Sequence, residues 1–182
     1  MPFRRLTFAA FLVLLGLGLS ACLQSKMPLF DEAKAVTPAP AGRYEEQENK
    51  LGQWAVKQAG TLTIDNRSYS WKIDGDKGGA EFFTLQDIGG GFYIAASRKK
   101  NPSPNDPYTY ALLEAAKEGY LAYMPTCGDF LKLRLPKEDM PIVDGSDCYF
   151  TDRDTLVRSL RHYAEVLKPS RRYVPISPSG NK

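Results

Sequence analysis

The sequence predicts a small, mainly β domain in which an antiparallel meander, closed as a barrel or paired as a sandwich, is followed by one C-terminal α-helix. Two observations predict the β part: apolar and polar residues alternate in several short segments, and turn residues separate these segments about every 8 to 12 residues. A third observation predicts the helix, because the apolar spacing changes to three and four residues after residue 150.

The alternating segments lie between Arg43 and Leu135. The predicted strands are the segments around residues 62–64, 69–73, 82–88, 92–96, 108–114, 120–124 and 131–135. We expect the aromatic side chains of these strands to fill the core without a pocket of several hundred Å³; the alternative is that they line a ligand cavity. These side chains are Tyr69, Trp71, Phe83, Phe92, Tyr108 and Tyr110.

The predicted helix begins at Thr151 or Asp152, either of which can cap it, and ends near Lys168, before a proline. One stripe of this helix is apolar and needs the sheet as its partner. The stripe consists of Leu156, Leu160, Tyr163 and Leu167. His162, the only histidine, lies nearly opposite Leu160, so we expect it to be solvated.

The N-terminal segment has the three parts of a secretory signal. Arg4 and Arg5 precede an apolar run of 14 residues, which is shorter than the roughly 20 residues that span a bilayer. The run ends in Leu19-Ser20-Ala21-Cys22, which resembles the lipobox of bacterial lipoproteins. The resemblance implies that residues 1–21 are a signal peptide, that cleavage precedes Cys22, and that Cys22 carries the lipid. Leu23 follows instead of an aspartate, which favours the outer membrane over the inner one.

Three further segments follow the signal peptide. Residues 22–42 are expected to be an acylated N-terminus with a proline- and alanine-rich tether. Residues 43–168 are expected to form a single globular domain, and residues 169–182 an extended tail.

Two cysteines remain once Cys22 is assigned to lipid. In an oxidising compartment Cys127 and Cys148 predict one disulfide. The alternative is a catalytic thiol paired with His162. No Gly-x-Ser-x-Gly motif and no zinc-ligand spacing is present in the sequence, so we predict no catalytic residues, no metal and no cofactor.

The charge balance argues against a nucleic-acid partner. Two of the 24 basic residues and none of the 21 acidic ones lie in residues 1–21, so the remaining chain has a formal charge of +1. The sequence therefore predicts a non-enzymatic, lipid-anchored protein of the cell envelope that acts by contacts with an unknown envelope partner. The alternative is a lipocalin-like or inhibitor-like module that binds a small ligand or a protein.

Overall fold

The computed structural model describes residues 23–98, 103, 106–145 and 147–177. Within these residues the chain forms eleven strands and two α-helices. The strands are β1 (Leu23–Ser25), β2 (Gly42–Lys50), β3 (Gln53–Asp65), β4 (Ser68–Ile73), β5 (Glu81–Gly89), β6 (Phe92–Ser97), β7 (Tyr108–Ala115), β8 (Tyr120–Tyr123), β9 (Ile142–Asp144), β10 (Asp147–Tyr149) and β11 (Arg171–Pro175). The helices are α1 (Cys127–Lys132) and α2 (Arg153–Val166).

Eight of the described strands form a closed antiparallel barrel. Each strand from β2 to β7 pairs with the one that follows it, which confirms the predicted meander. β11 then pairs with β8 on one side and with β2 on the other, and this double pairing closes the sheet. Of the two architectures left open by the sequence, the barrel is the one that forms.

The closing strand lies in the segment that was predicted to be an extended tail. Within β11, Tyr173 pairs with Glu46 of β2 and with Tyr120 of β8. The prediction is therefore wrong for Arg171–Pro175. A short segment with two arginines and a proline has no β pattern of its own, and it becomes a strand because distant parts of the chain supply both neighbours.

The segment predicted to be a tether also belongs to the folded domain. β1 pairs antiparallel with β7 and parallel with β10, and the side chain of Leu23 is completely buried. Further along, the backbone N–H of Val36 donates a hydrogen bond to the carbonyl oxygen of Leu85, within the barrel wall. The tether prediction is wrong for residues 23–42, because their few apolar side chains find partners on the barrel.

The strand predicted at residues 131–135 does not form: α1 includes residues 131 and 132, and residues 133–135 belong to neither a helix nor a strand. Thr126 and Asp129 form a capping box at the start of α1: each side chain bonds the backbone N–H of the other residue. Phe130 is completely buried by this turn. The alternating leucines at 131, 133 and 135 are compatible with a strand, but the cap and the burial of Phe130 favour the helix.

The predicted C-terminal helix is confirmed and lies against the outside of the barrel. Asp152 is its N-cap, with the backbone N–H of Thr155 donating to the Asp152 carboxylate at 2.8 Å. Leu156 and Leu160 are completely buried and Tyr163 nearly so. We call the layer between the helices and the wall the outer core. Its buried members are Leu23, Ile94, Tyr110, Leu112, Tyr123, Cys127, Phe130, Cys148, Phe150, Leu156, Leu160 and Tyr163.

Candidate functional site

The interior of the barrel contains a cavity of about 490 Å³. Its lining is mainly apolar and rich in aromatic rings, and the volume is in the range of sites that take one small molecule. The rings that line it include Tyr44, Tyr69, Trp71, Phe83, Tyr120 and Tyr173. The expectation of a filled core without such a pocket is therefore wrong.

The space comes from small side chains on one wall. Ala95 of β6 and Ala111 of β7 are register partners, and both line the cavity. Ala122 of β8 lines it as well, beside Leu113 of β7. Because side chains alternate between the two faces of a strand, one alanine on each of three adjacent strands leaves the lumen open on that side.

The opposite wall is built from packed aromatic rings. The rings of Tyr69 and Phe83, which are cross-strand partners, stack with centroids 5.3 Å apart. Trp71 meets Tyr173 edge to face at 5.7 Å. A Cβ added to Gly60 would lie 2.5 Å from the indole of Trp71, so the absence of a side chain at Gly60 gives the indole its place. These contacts hold rigid aromatic faces towards the cavity.

The N-terminal segment covers one end of the barrel. Ala39 lines the cavity there, and its backbone N–H and carbonyl oxygen both bond the hydroxyl of Tyr69, each at 3.0 Å. Burial raises the pKa of Tyr69 to about 12, so this phenol stays neutral. Its hydroxyl accepts a hydrogen bond from the backbone N–H of Ala39 and donates one to the carbonyl oxygen of Ala39. The start of β5 and the end of β6 also line the cavity, and we call this region the mouth.

Charged groups gather on one side of the mouth. Glu46 is almost completely buried, 3.0 Å from Arg171 and 3.4 Å from Lys57, and it accepts a hydrogen bond from Gln58 at 2.6 Å. Glu81, at the start of β5, lines the cavity near this cluster. Burial, followed by the charge of Glu46, raises the pKa of the Glu81 carboxyl. This side of the mouth therefore has both signs of charge close together.

A second, smaller cavity of about 260 Å³ lies between the N-terminal segment and the outside of the barrel. Phe30 and Glu32 line it from the segment, and Tyr108 lines it from β7. Arg98, the residue after β6, lines both this cavity and the larger one. The two spaces therefore share one cationic side chain.

The six aromatic residues singled out in the sequence divide between two environments. Tyr69, Trp71 and Phe83 face the barrel interior. The other three belong to or pack against the outer core; they are Phe92, Tyr108 and Tyr110. The alternation of apolar and polar residues identifies the strands, but it does not show which face of each strand points into the barrel interior.

The predicted disulfide is confirmed. Cys127 and Cys148 are bonded, with their α-carbons 5.3 Å apart, and the bridge joins α1 to β10 inside the outer core. These cysteines therefore form a structural bond in this state, and neither is a free nucleophile. His162 lies on the partly exposed side of α2, with Nδ1 3.7 Å from the Glu165 carboxylate. Cys22, the predicted lipidation residue, lies outside the described residues.

The sequence reasoning missed the residues that make the cavity. Ala95 and Ala111 were included in predicted strands, but their small size was not interpreted. Glu46 gave no signal, because its segment has three glutamates and no apolar alternation. A small residue at a strand position where its neighbours are aromatic is the signal that could have indicated the cavity.

No family model, curated protein or solved structure matches this chain. The described residues contain no group of three or more His, Cys, Asp or Glu side chains placed to hold a metal ion. Neither of the described α-helices is long and apolar enough to cross a membrane.

Proposed function

We propose that this protein is a lipid-anchored envelope protein whose barrel binds one small, largely apolar molecule. The observation that supports this most strongly is the aromatic cavity of about 490 Å³. Packed interiors have few voids larger than a water molecule, so a cavity of this size has a cost unless something occupies it. Binding, rather than the contact role favoured by the sequence, is the function that fits this geometry best.

The lining supports a ligand with an extended apolar face. Trp71 and Tyr173 present rings that are held by edge-to-face packing, and Ala95 and Ala111 leave space opposite them. Rigid aromatic faces bury a large area with little loss of side-chain entropy. The ligand class that matches is an apolar chain or ring system with its polar group at the mouth.

Filling the cavity tests the proposal. In Ala111→Phe the new ring enters the lumen, so we expect the affinity for the neutral fluorophore N-phenyl-1-naphthylamine to fall by about tenfold or more. The matched control is Ala116→Phe, because Ala116 is exposed in the turn after β7. We expect the control to bind like the wild type, with one saturable site seen by fluorescence titration.

Absence of saturable binding, or equal affinity in Ala111→Phe and the wild type, would reject the cavity as a ligand site. The contact role within the envelope would then be the better proposal. Mass spectrometry of organic extracts gives a second readout, in which a small molecule accompanies the wild type and not Ala111→Phe.

The membrane anchor is part of the proposal and rests on the lipobox. Two or three acyl chains on Cys22 are enough for stable anchoring, which takes two such signals. Because β1 begins at Leu23 and this side chain is buried, an anchor on Cys22 would hold the barrel close to the membrane instead of on a long tether. We propose the outer membrane as its location.

Cys22→Ser tests the anchor. The variant is expected to leave the membrane fraction or to remain an unprocessed precursor, and the wild type should have the mass of an acylated chain. A processed, lipid-free wild type would contradict this part of the proposal and leave the cavity untouched.

A further inference from the structure

Arg98 has a position in the barrel that no other described arginine shares. It follows β6 directly, at the mouth, and it lines both the cavity of about 490 Å³ and the one of about 260 Å³. A group bound at Arg98 can therefore belong to a molecule that occupies the aromatic interior.

The hydrogen bonds of Arg98 leave one donor without a partner. Nη1 donates to the hydroxyl of Tyr108 at 3.3 Å, and Nη2 donates to the carbonyl oxygen of Ser103 at 3.2 Å. The guanidinium also lies 4.8 Å from the centre of the Tyr108 ring, which fixes its orientation. Nε is buried and is the one buried side-chain polar atom in the described part of the chain that has no hydrogen bond.

An unpaired buried donor on a charged group is costly, because its hydration is lost and nothing replaces it. Both partners of the guanidinium are neutral oxygens, so the charge has no carboxylate on it among the described residues. An acceptor with a negative charge would satisfy both the donor and the charge.

Glu81 is the other charged group that lines the larger cavity, and it differs from Arg98 in its access to water and in its charged neighbours. Its side chain is partly exposed to water although burial raises the pKa of its carboxyl, and its electrostatic neighbours include Glu46, Arg171 and Lys57, which carry both signs of charge. Arg98 is therefore the charged group at the mouth without a counterion among the described residues, and its Nε has neither water nor a hydrogen-bond partner.

From this geometry we infer that Arg98 binds the anionic head of an amphiphile whose apolar body occupies the aromatic cavity. The inference rests on the proposed ligand-binding function and specifies the ligand class: a molecule with one carboxylate or similar anion and an apolar chain or ring system. Arg98 contributes charge and a directed donor, and the aromatic wall contributes apolar contact area.

The test compares two probes that differ only in the head group, 11-(dansylamino)undecanoic acid and its methyl ester. The wild type should bind the acid more tightly than the ester in a fluorescence titration. Arg98→Gln should weaken acid binding by about tenfold or more, which corresponds to the loss of a charge-assisted hydrogen bond. Ester binding should change by less than about twofold. Arg98→Lys keeps the charge and should retain part of the preference.

The matched control is Arg67→Gln, because Arg67 is exposed in the hairpin between β3 and β4 and lines neither cavity. It should bind both probes like the wild type. Equal affinity of the wild type for acid and ester would overturn the inference and leave the cavity function standing, and so would equal weakening of both probes in Arg98→Gln.

Two further outcomes decide the remaining cases. Failure of the wild type to bind either probe, or N-phenyl-1-naphthylamine, would overturn both proposals. Circular dichroism melting shows whether each variant is folded. Should Arg98→Gln not fold, the wild-type preference and its reduction in Arg98→Lys decide the question.

Discussion

The outer core and the barrel interior share one wall but are packed in opposite ways. On β6 and β7, the side chains that face outward include Ile94 and Leu112, which are completely buried against the outer core. The side chains that face inward on the same strands include Ala95 and Ala111, which border open space. Along one strand, then, alternate positions are large where the chain packs on itself and small where the cavity lies.

This difference indicates that the outward face stabilises the fold and that the inward face borders the cavity. The outer core is closed by a disulfide and by α2, so its contacts stabilise the fold. The interior keeps aromatic rings around a void, and a void removes contacts that would otherwise stabilise the chain. Packing in the outer core offsets the stability that the open lumen loses.

The strongest test of this division is a truncation in the outer core. Leu160→Ala removes a completely buried side chain from a filled site, so we expect the free energy of unfolding to fall by about 2–5 kcal/mol. Val166→Ala, on the same helix but 55% exposed, should change it by less than about 1 kcal/mol. Urea unfolding followed by circular dichroism gives both values. Similar losses of stability in the two variants would contradict the conclusion that the outer core stabilises the fold.

Loss of the disulfide should have the next largest effect. The Cys127–Cys148 bond spans 21 residues, and replacing both cysteines by alanine should lower the free energy of unfolding by about 3 kcal/mol on the chain-entropy model. Since the bond lies in the outer core, probe affinity at low temperature should stay close to that of the wild type. A large loss of affinity in the folded variant would show that the two regions are coupled.

Truncation of Trp71 should be milder, although it removes more atoms than Leu160→Ala. In a filled core a tryptophan-to-alanine change costs about 3–5 kcal/mol, but one side of this indole already faces the cavity. We expect less than about 2 kcal/mol, together with a clear loss of affinity for N-phenyl-1-naphthylamine. A loss of stability larger than that of Leu160→Ala would indicate an interior as well packed as the outer core.

The smallest expected effect is a loss of folding stability at alkaline pH. Burial raises the pKa of Tyr69, in the interior, and of Tyr163, in the outer core, to about 12 from the usual value of 10. Because the unfolded chain loses these protons first, stability should be constant below about pH 10 and should fall between about pH 10 and 12. Tyr69→Phe and Tyr163→Phe should each make the fall shallower.

A bound probe separates the two tyrosines. Filling the cavity should move the ionisation of Tyr69 to still higher pH and leave that of Tyr163 unchanged, as followed by tyrosinate absorbance in the two variants. An equal shift of both tyrosines, or of neither, would contradict the assignment of the probe to the interior.

The spacing of apolar residues in the sequence predicted those helices and strands that bury one regular face. The stripe of Leu156, Leu160, Tyr163 and Leu167 predicted α2, and the alternation at Tyr69 and Trp71 predicted β4, because each element buries one face on a partner layer. Leu167, the C-cap residue, is the one member of the stripe that is exposed. α1 was missed, since a six-residue helix is set by its capping box at Thr126 and not by any periodicity.

The sequence by itself determined that this chain is an antiparallel meander with a packed C-terminal helix and one disulfide, because alternation, helical spacing and cysteine count are readable along the chain. Only the tertiary structure decided that Arg171–Pro175 closes the barrel, that Leu23 belongs to the outer core, and that the lumen stays open. These three features arise between segments far apart in the sequence. Closure depends on which strands supply free edges, and the cavity on the combined volume of side chains from many strands, neither of which any single segment specifies.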